Sequence, residues 1–245
     1  MDDAVCRYLD WDSEFFGVRV ARFLASRLDV PSVQSALTWC RDKNIQCLYF
    51  LADSGDSETV KLAEDNGFRL VDIRTTMTKD MTNHGLRGDG SAGILVRGAV
   101  AEDIPQLRAI ARTGHRDTRF YHDEHFPKHR CDALYETWIE RSCSGYAGAV
   151  LVAELAGHPV GYITCHFDDE TSGRIGLAGV HPDHQGLHVG RTLVTQAAAL
   201  FAERGVRRVS VVTQGRNVRA QRLYQRCGFT TSAVELWYHR WFGSQ

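Results

Sequence analysis

An α/β fold is predicted by three features of the sequence: alternating strand-like and helix-like segments, a glycine-rich stretch that divides the chain, and an ordinary globular composition. Of the 245 residues, 43% are hydrophobic and 24% are charged, which is close to average globular usage and argues against disorder. A chain of this length can bury roughly 70–75% of the surface that its unfolded form exposes. We therefore expect it to fold without disulfides or metals as supports.

The segments after residue 93 alternate between β-branched runs and apolar residues at helical spacing. Glycines follow two of the helical segments, at Gly205 and Gly228, where a helix commonly ends. The predicted strands are 94–97, 149–154, 160–167, 174–180, 206–213 and 229–241, and the predicted helices are 101–112, 132–141, 190–203 and 218–226.

The first 80 residues contain a shorter version of the helix and strand pattern with which the chain ends. Here the predicted elements are a helix over 33–41, a strand over 47–52, a helix over 58–66 and a strand over 68–78. Asn66-Gly67-Phe68 resembles Cys227-Gly228-Phe229, and each precedes a long strand. Two explanations stay open: a degenerate internal duplication, or two unrelated helix–glycine–strand units.

The stretch from Lys79 to Gly93 contains four glycines and few apolar residues, a composition typical of a linker. Apolar patterning continues on both sides of it. We therefore predict a truncated N-terminal α/β lobe over residues 1–80, a linker over 81–93 and the main domain over 94–245.

The charge balance and the cysteines limit the class of protein. There are 29 Lys and Arg against 30 Asp and Glu, which gives a net charge of −1 and argues against a nucleic-acid-binding protein. No apolar run approaches the ~20 residues that span a bilayer, and the acidic start lacks a signal-peptide pattern. Seven scattered cysteines without a CxxC pair favour reduced thiols. We predict a cytoplasmic protein that binds neither membranes nor nucleic acid.

The segment from Val180 to Arg191 joins a predicted strand to a predicted helix and contains two glycines. Glycine lets the backbone approach a ligand closely. The first turn of a helix carries unpaired N–H groups and a partial positive charge. Together these features predict a pyrophosphate site, although such a junction alone is common in α/β proteins.

A second segment, from Asn217 to Phe229, adds specific spacing. Asn217 stands where a helix begins, Ala220 lies one turn further on, and Tyr224 lies another turn along the same face. Gly228 then ends the helix.

These two segments resemble the GNAT acyltransferase superfamily, the GCN5-related N-acetyltransferases. The first is similar to its acetyl-CoA pyrophosphate loop, except that His188 replaces the inner glycine; the second fills every position of the motif Asn-x-x-Ala-x-x-x-Tyr-x-x-x-Gly-Phe. The resemblance covers residues 94–245 and implies a GNAT fold: a twisted mixed β-sheet flanked by helices, here with a smaller, truncated GNAT-like N-terminal lobe. It also implies acetyl-CoA as co-substrate, bound by Val180, Gln185, Gly186, Leu187, His188, Val189, Gly190, Arg191, Asn217 and Ala220.

A narrower resemblance, to the dTDP-fucosamine acetyltransferase group, is carried by the stretches 8–17 and 119–126. It implies that the acceptor is the 4-amino group of a dTDP-linked aminodeoxy sugar, with Arg119, Tyr121, Asp123 and Phe16 as substrate-binding residues. Two alternatives for the acceptor segments stay open. The Trp11–Phe15–Phe16 cluster can be a packing plug, and residues 119–126 can serve packing instead of acceptor contact.

The family resemblance implies direct acetyl transfer without a covalent enzyme intermediate. Tyr224 would protonate the leaving thiolate, and the backbone at Ala178 and Gly179 would stabilise the carbonyl oxygen. Two small residues before Val180 suit a β-bulge that frees N–H groups. Some family members use a glutamate on this strand as the base, but residues 174–180 contain no carboxylate. The remaining base candidates are His115, Asp117, His122, Asp123, His166, Asp168 and water.

Two histidine series, 122/125/129 and 181/184/188, have spacings that can chelate zinc on a helix. Pro127 interrupts the first series, and the second crosses the predicted phosphate loop, so no metal is predicted. Two other functions stay open: a GNAT acting on a protein N-terminus, a polyamine or an antibiotic, and a non-catalytic acyl-CoA sensor. Both monomer and homodimer are compatible with the sequence.

Overall fold

A computed structural model describes residues 5–82 and 93–243, and within them ten strands form one mixed sheet. In chain order the strands are β1 (Cys6–Tyr8), β2 (Val20–Phe23), β3 (Cys47–Asp53), β4 (Arg69–Asp80), β5 (Ile94–Gly98), β6 (Ala149–Leu155), β7 (His158–Phe167), β8 (Ser172–Val180), β9 (Arg208–Gln214) and β10 (Thr230–Trp241).

Seven α-helices connect the strands of the described ranges: α1 (Asp10–Phe16), α2 (Val30–Asp42), α3 (Ser57–Asp65), α4 (Ile104–Gly114), α5 (Lys128–Arg141), α6 (Val189–Glu203) and α7 (Val218–Arg226). Short 3₁₀ turns occur at Ala101–Asp103, Arg119–His122 and Pro182–His184, and a π-helical turn follows α5 at Ser142–Tyr146. Within the same ranges, no helix combines the length and apolar character needed to cross a bilayer.

The strand order across the sheet is β1-β2-β3-β10-β4-β9-β8-β7-β6-β5. Only the pairs β2/β3 and β8/β9 are parallel, and all other neighbours are antiparallel. The predicted mixed sheet flanked by helices is therefore confirmed.

The two similar helix–glycine–strand units exchange their long strands. β4 leaves the β3–α3 unit and pairs with β9, while β10 leaves the β9–α7 unit and pairs with β3. Gly67 and Gly228 both adopt a left-handed conformation, with φ of 75° and 85°, and Phe68 and Phe229 are both buried. The N-terminal residues therefore continue the sheet of the C-terminal ones. The predicted division at residues 81–93 stays a prediction, since 83–92 lie outside the described residues.

Helices cover both faces of the sheet. On one face, α2, α3, α6 and α7 pack over two apolar clusters, which centre on Phe50 and Phe201. On the other face, α1, α4 and α5 pack over a third cluster that contains Phe120 and Tyr162. The chain therefore forms three layers, with the apolar side chains of the sheet as the core.

Local signals explain where the helices begin. The Asp29 and Asp56 side chains accept hydrogen bonds from first-turn N–H groups of α2 and α3, as N-cap residues do. The predicted ranges agree with the observed ones to within a few residues, with α5 beginning four residues earlier than predicted. β1, α1 and β2 were not predicted, and they are only three, seven and four residues long.

Candidate active site

The parallel strands β8 and β9 separate halfway along their length. Their cross-strand pairs run from Ser172–Arg208 to Ile175–Val211 and end there, although β8 continues to Val180 and β9 to Gln214. The five last residues of β8 therefore have a partner strand on one side only, namely β7. A gap opens between the carboxyl ends of the two strands, a position where open α/β sheets commonly bind ligands.

A β-bulge lies at the start of this gap. The β7–β8 pairs shift between Cys165–Ile175 and Ile163–Ala178, so Gly176 and Leu177 oppose Thr164 alone. Leu177 N–H donates to the buried Thr164 Oγ1 at 2.8 Å. The bulge was expected at Ala178 and Gly179, and that expectation is wrong by two residues. A Cβ atom at position 176 would lie 2.6 Å from His166 Nε2, so only glycine fits where the strand bends.

Beyond the bulge, the backbone N–H groups of β8 alternate between β7 and the gap. His181 N–H donates to Val160 at 2.8 Å, so Gly179 N–H also points to β7, whereas the N–H groups of Ala178 and Val180 point into the gap. Gly179 leaves room for the Tyr162 ring, since a Cβ at this position would lie 2.8 Å from it. The register thus favours Ala178 over Gly179 as a backbone donor.

The loop after β8 delivers the N-terminus of α6 to the end of the gap. Gly186 and His188 have left-handed φ angles of 86° and 63°. His188 thus adopts the conformation of the glycine that it replaces and stands at the N-cap of α6. Thr192 N–H begins the helical hydrogen bonding by donating to His188. The N–H groups of Val189, Gly190 and Arg191 precede it and have no intrahelical partner.

Side-chain contacts tie this loop to α7. Gln185 Nε2 donates to the Val180 carbonyl at 3.3 Å, and Arg219 donates to Gln185 Oε1 at 2.6 Å. Asn217 Oδ1 accepts from Ala220 N–H at 3.0 Å, so Asn217 caps α7. A Cβ on Gly190 would lie 3.1 Å from Leu223 and 3.8 Å from Val180. The predicted cofactor-binding residues therefore converge where β8, α6 and α7 meet, and Leu187 is an exposed residue of the loop.

Tyr224 lies on α7, and its side chain belongs to the apolar cluster that also contains residues of α6 and the sheet. Its side chain is buried and contacts Phe229 edge-on, with ring centroids 5.7 Å apart. Burial and, to a lesser extent, Cys227 raise the pKa of Tyr224 well above its ordinary value. The phenol is therefore protonated at neutral pH.

A cavity of about 480 Å³ lies beside the bulge on the opposite face of the sheet. Its walls come from α1, α5, the π-helical turn, β7 and β8. The lining residues are Trp11, Trp138, Arg141, Ser142, Tyr146, His166, Arg174, Gly176 and Leu177.

Arg119 occupies a box of aromatic rings. Its guanidinium carbon lies 4.2–4.3 Å from the ring centroids of Tyr49, Phe120 and Trp237, a cation–π arrangement. Nη1 donates to His239 Nε2 at 2.9 Å, and Arg22 stacks near the same Trp237 ring at 5.3 Å.

Asp123 is a buried hydrogen-bond acceptor and not a surface group. His239 Nδ1 and Trp241 Nε1 donate to its Oδ2 at 2.6 and 2.8 Å, and His125 Nδ1 donates to Oδ1 at 2.8 Å. Burial alone would raise the pKa of Asp123, but these hydrogen bonds hold it well below its ordinary range. Because Arg119 can only donate, His239 is neutral with its proton on Nδ1. Asp123 therefore fixes the 119–126 segment to β10, which disfavours the predicted acceptor contact.

Phe16 also packs inside the protein. It is 7% exposed and lies 4.5 and 5.2 Å, between ring centroids, from Phe126 and Phe120. This environment favours the packing-plug alternative. Tyr121 is half-buried, and its hydroxyl donates to Asp132 Oδ1 at 2.5 Å.

The other candidate base and metal-ligand histidines of this region lie in different environments. His115 Nε2 is 2.8 Å from the Tyr162 hydroxyl, and burial lowers the pKa of His115 to about 4. His122, His125 and His129 lie on the exposed loop and the start of α5. Across residues 5–82 and 93–243, no group of three potential ligand side chains is arranged to hold a metal ion.

The gap, the bulge and the cavity involve residues that the sequence motifs do not include. Thr164, Gly176, Arg22 and Trp237 were not predicted as site residues. Gly176 carries the one sequence signal of the four, since a glycine inside a strand often marks a bulge.

The chain is similar to known acetyltransferases. Residues 111–229 match the model of the acetyltransferase (GNAT) family. The chain is 28% identical over 144 residues to the spore coat polysaccharide biosynthesis protein SpsD of Bacillus subtilis strain 168, covering 58% of this chain and 49% of SpsD. It is 24% identical over 235 residues to the dTDP-fucosamine acetyltransferase of Escherichia coli O6:H1, covering 95% and 96% of the two chains. The chain thus spans about half the length of SpsD.

A solved structure has the same fold. The GCN5-related N-acetyltransferase from Sphaerobacter thermophilus superposes with a TM-score of 0.68 at 16% identity, over 96% of this chain and 76% of that one.

Removing the charge of Asp123 tests its structural role. We expect Asp123→Asn to lower the free energy of unfolding by about 3–5 kcal/mol at pH 7, because breaking a buried charged network costs this much. The pKa of Asp123 is lowered in the folded protein. Its stabilisation is therefore fully present above the unfolded pKa of ~3.9 and declines as pH falls further. Urea unfolding should show a constant gap from pH 7 to pH 5 that narrows below pH ~4.

The exposed neighbour Glu124 provides the matched control, since Glu124→Gln should leave stability nearly unchanged. A gap for Asp123→Asn no larger than that of Glu124→Gln at pH 7 would contradict the structural role.

Proposed function

We propose that the chain transfers an acetyl group from acetyl-CoA directly to a primary amine, since residues 111–229 match the model of the acetyltransferase (GNAT) family. We propose further that this amine is the 4-amino group of a nucleotide-linked (dTDP) aminodeoxy sugar. The single observation that carries the proposal is the gap between β8 and β9, which has the N-terminus of α6 at its end and Tyr224 on one face.

The end of the gap suits a pyrophosphate. The unpaired N–H groups of Val189, Gly190 and Arg191 and the partial positive charge of the helix terminus favour an anion there. Gly190 lets the backbone approach the ligand. Asn217 and Gln185 hold α7 and the loop in place, so both residues support the site by ordering it.

The backbone of β8 suits a thioester. The N–H groups of Ala178 and Val180 lie within the gap and can donate to the carbonyl oxygen as it gains charge. Holding the thioester beside the amine replaces an encounter in solution by a local step. Tyr224 is protonated and can give its proton to the leaving thiolate.

Three arginines, Arg22, Arg74 and Arg119, lie close to one another, and we assign them to the acceptor side of the site. The guanidinium carbons of Arg22 and Arg119 lie 5.3 and 4.3 Å from the centre of the Trp237 ring. Arg74 lies near Arg22 and pairs with Glu235 at 2.6 Å. Burial, and then the charges of Arg119 and Arg74, lower the pKa of Arg22. Clustered arginines favour a phosphate-bearing ligand, and the similarity to dTDP-fucosamine acetyltransferase supports a nucleotide sugar.

A panel of acceptors tests the proposal. Turnover with acetyl-CoA would be measured for a dTDP-linked 4-amino sugar, the same amino sugar without its nucleotide, spermidine, an aminoglycoside and a peptide with a free N-terminus. We expect the dTDP-linked sugar to have the highest kcat/KM. A higher value for another amine would refute the acceptor, and binding of acetyl-CoA without turnover of any amine would favour the sensor.

Gly190→Asp tests the phosphate loop. The substitution brings a negative charge to the helix turn whose N–H groups would hold the pyrophosphate, so we expect CoA binding to weaken by about tenfold or more. Ala199→Asp adds the same charge on an exposed position of α6 and should leave CoA affinity nearly unchanged. Calorimetry with CoA compares the two variants, and equal affinities would rule out the site.

Tyr224→Phe tests the acid. The change keeps the ring and its packing but removes the proton, so we expect kcat to fall by ~10²–10⁴-fold. Acetyl-CoA binding and melting temperature should change little. Tyr8→Phe, on the distant strand β1, is the control. A folded variant with nearly full kcat would contradict this role of Tyr224 and would indicate that water protonates the leaving thiolate.

Arg22→Gln tests the acceptor side. We expect the KM of the dTDP-linked sugar to rise about tenfold, since hydrogen bonds to charged groups contribute about 1.5–3 kcal/mol, while the KM of acetyl-CoA stays unchanged. Arg7 is paired with Arg22 across β1 and β2 and is exposed, so Arg7→Gln is the matched control. Equal effects of the two substitutions would argue against a phosphate contact at Arg22.

A further inference from the structure

We infer that His166 accepts the proton that the acceptor amine loses during acetyl transfer. The inference rests on the proposed function and assigns a base on β7, where the sequence left the base open. It is carried by three observations: the position of His166 against the bulge, its unpartnered imidazole and the cavity that this imidazole lines.

The first observation is geometric. His166 Nε2 lies 2.6 Å from the point that a Cβ of Gly176 would occupy, and Thr164 Oγ1 lies 2.8 Å from the same point. Gly176 thus leaves space over β8, and the His166 ring from the neighbouring strand fills it. Position 176 is the first residue of β8 beyond the last pair with β9.

The distance to the reacting carbonyl follows from strand geometry. Ala178, whose N–H points into the gap, is two residues from Gly176, which is at most about 6–7 Å along a strand and less where a bulge intervenes. An amine that attacks a carbonyl held at Ala178 therefore comes within reach of His166, directly or through one water.

The second observation concerns the hydrogen bonding of His166. Its side chain is 8% exposed, yet neither ring nitrogen forms a hydrogen bond within the described residues, and neither is among their fully buried, unpartnered atoms. Its imidazole is held in place by the Tyr146 ring, edge-on at 5.5 Å. Both nitrogens therefore remain available to a ligand.

The third observation is the cavity of about 480 Å³, which His166 and Gly176 line together. Trp11 of α1 and Trp138 of α5 also line it. It lies on the face opposite Tyr224, so an acceptor in the cavity and a thiolate near Tyr224 meet the gap from opposite sides. The proton acceptor and the proton donor are thereby kept apart.

The charges around His166 keep it neutral. Arg174 on β8 and Arg141 on α5 line the same cavity, and Arg174 also pairs with Asp168. Burial and, second, the charge of Arg174 lower the pKa of His166 from its ordinary value. A neutral imidazole is the form that can take up a proton.

Four of the other candidates are engaged in contacts within the protein or are exposed. His115 is bound to Tyr162, and Asp123 accepts from His239, Trp241 and His125. Asp168 is paired with Arg174, while His122 is exposed on the loop before α5.

The neutral amine attacks the thioester carbon, its N–C bond forms, and one N–H proton passes to the His166 imidazole. The C–S bond then breaks, and Tyr224 protonates the thiolate. The imidazolium returns its proton through water to the tyrosinate, which restores both groups.

His166→Gln is the direct test, with the amine that the wild-type protein acetylates fastest in the panel above. We expect kcat/KM to fall ~10²–10⁴-fold, with CoA affinity unchanged. In the wild type, kcat/KM should fall as pH drops through a pKa below 6.5, and this limb should vanish in the variant. His158→Gln, at the exposed start of the same strand, should behave as wild type.

His166→Ala provides a second measurement. The shortened side chain opens space toward the cavity, so added imidazole should restore turnover in His166→Ala and have no effect on His158→Ala. A purely packing role for His166 predicts no rescue.

The outcomes separate the two hypotheses. Wild-type turnover together with a folded His166→Gln that keeps its rate and its acid limb would overturn the role of His166 alone. If His166→Gln does not fold, rescue of His166→Ala by imidazole supports the inference, and lack of rescue overturns it. Absence of wild-type turnover with every amine would overturn the proposed function and this inference together.

Discussion

The parallel strands β8 and β9 pair only as far as Ile175 and Val211, and every feature of the candidate site depends on their separation. A continued ladder would engage the N–H groups of Ala178 and Val180 and would close the space below α6. The bulge at Gly176 and Leu177 redirects β8, and Thr164 satisfies the N–H group that the bulge leaves unpaired. The cost of an unpaired buried amide is thus avoided at the bend, while the next amides stay available to a ligand.

The exchange of β4 and β10 places the two halves of the chain in one sheet. β10 lies between β3 and β4, so Trp237 comes from the C-terminal strand and the nearby Arg22 from the N-terminal residues. Lys79 adds a second link, because its Nζ donates to the Cys227 carbonyl at the end of α7 at 2.9 Å, where a cation is favourable. The N-terminal residues therefore place Arg22 beside Trp237 and also fix the helix that carries Tyr224.

The sequence predicted most of the fold, because those segments carry local signals: caps, terminal glycines and β-branched runs. The two segments with the family motifs lie together in the structure, where Arg219 bonds to Gln185, and their binding of the cofactor stays a prediction. It could not predict β1, α1 and β2, since three to seven residues show no periodicity. Gly173, Gly176 and Gly179 are equally good bulge candidates by sequence. The choice among them depends on contacts across the sheet, with Thr164 and His166 over Gly176 and Tyr162 over Gly179. Likewise, the structural role of Asp123 depends on its hydrogen bonds from His239, Trp241 and His125. The first two residues are distant in sequence and the third lies on a turn, so the sequence pattern does not show these contacts.

The buried His239 and His166 and the partly buried His115 show how contacts, and not residue type, assign a role. His239 is neutral because Arg119 donates to one nitrogen and Asp123 accepts from the other, and burial lowers its pKa to about 4. His115 is bonded at one nitrogen, its Nε2, to the Tyr162 hydroxyl. Both imidazoles have their hydrogen bonds inside the protein, so a proton taken up by either would cost the network that holds it. His166 has no such network within the described residues, and a proton arriving there displaces none of the hydrogen bonds that stabilise the fold.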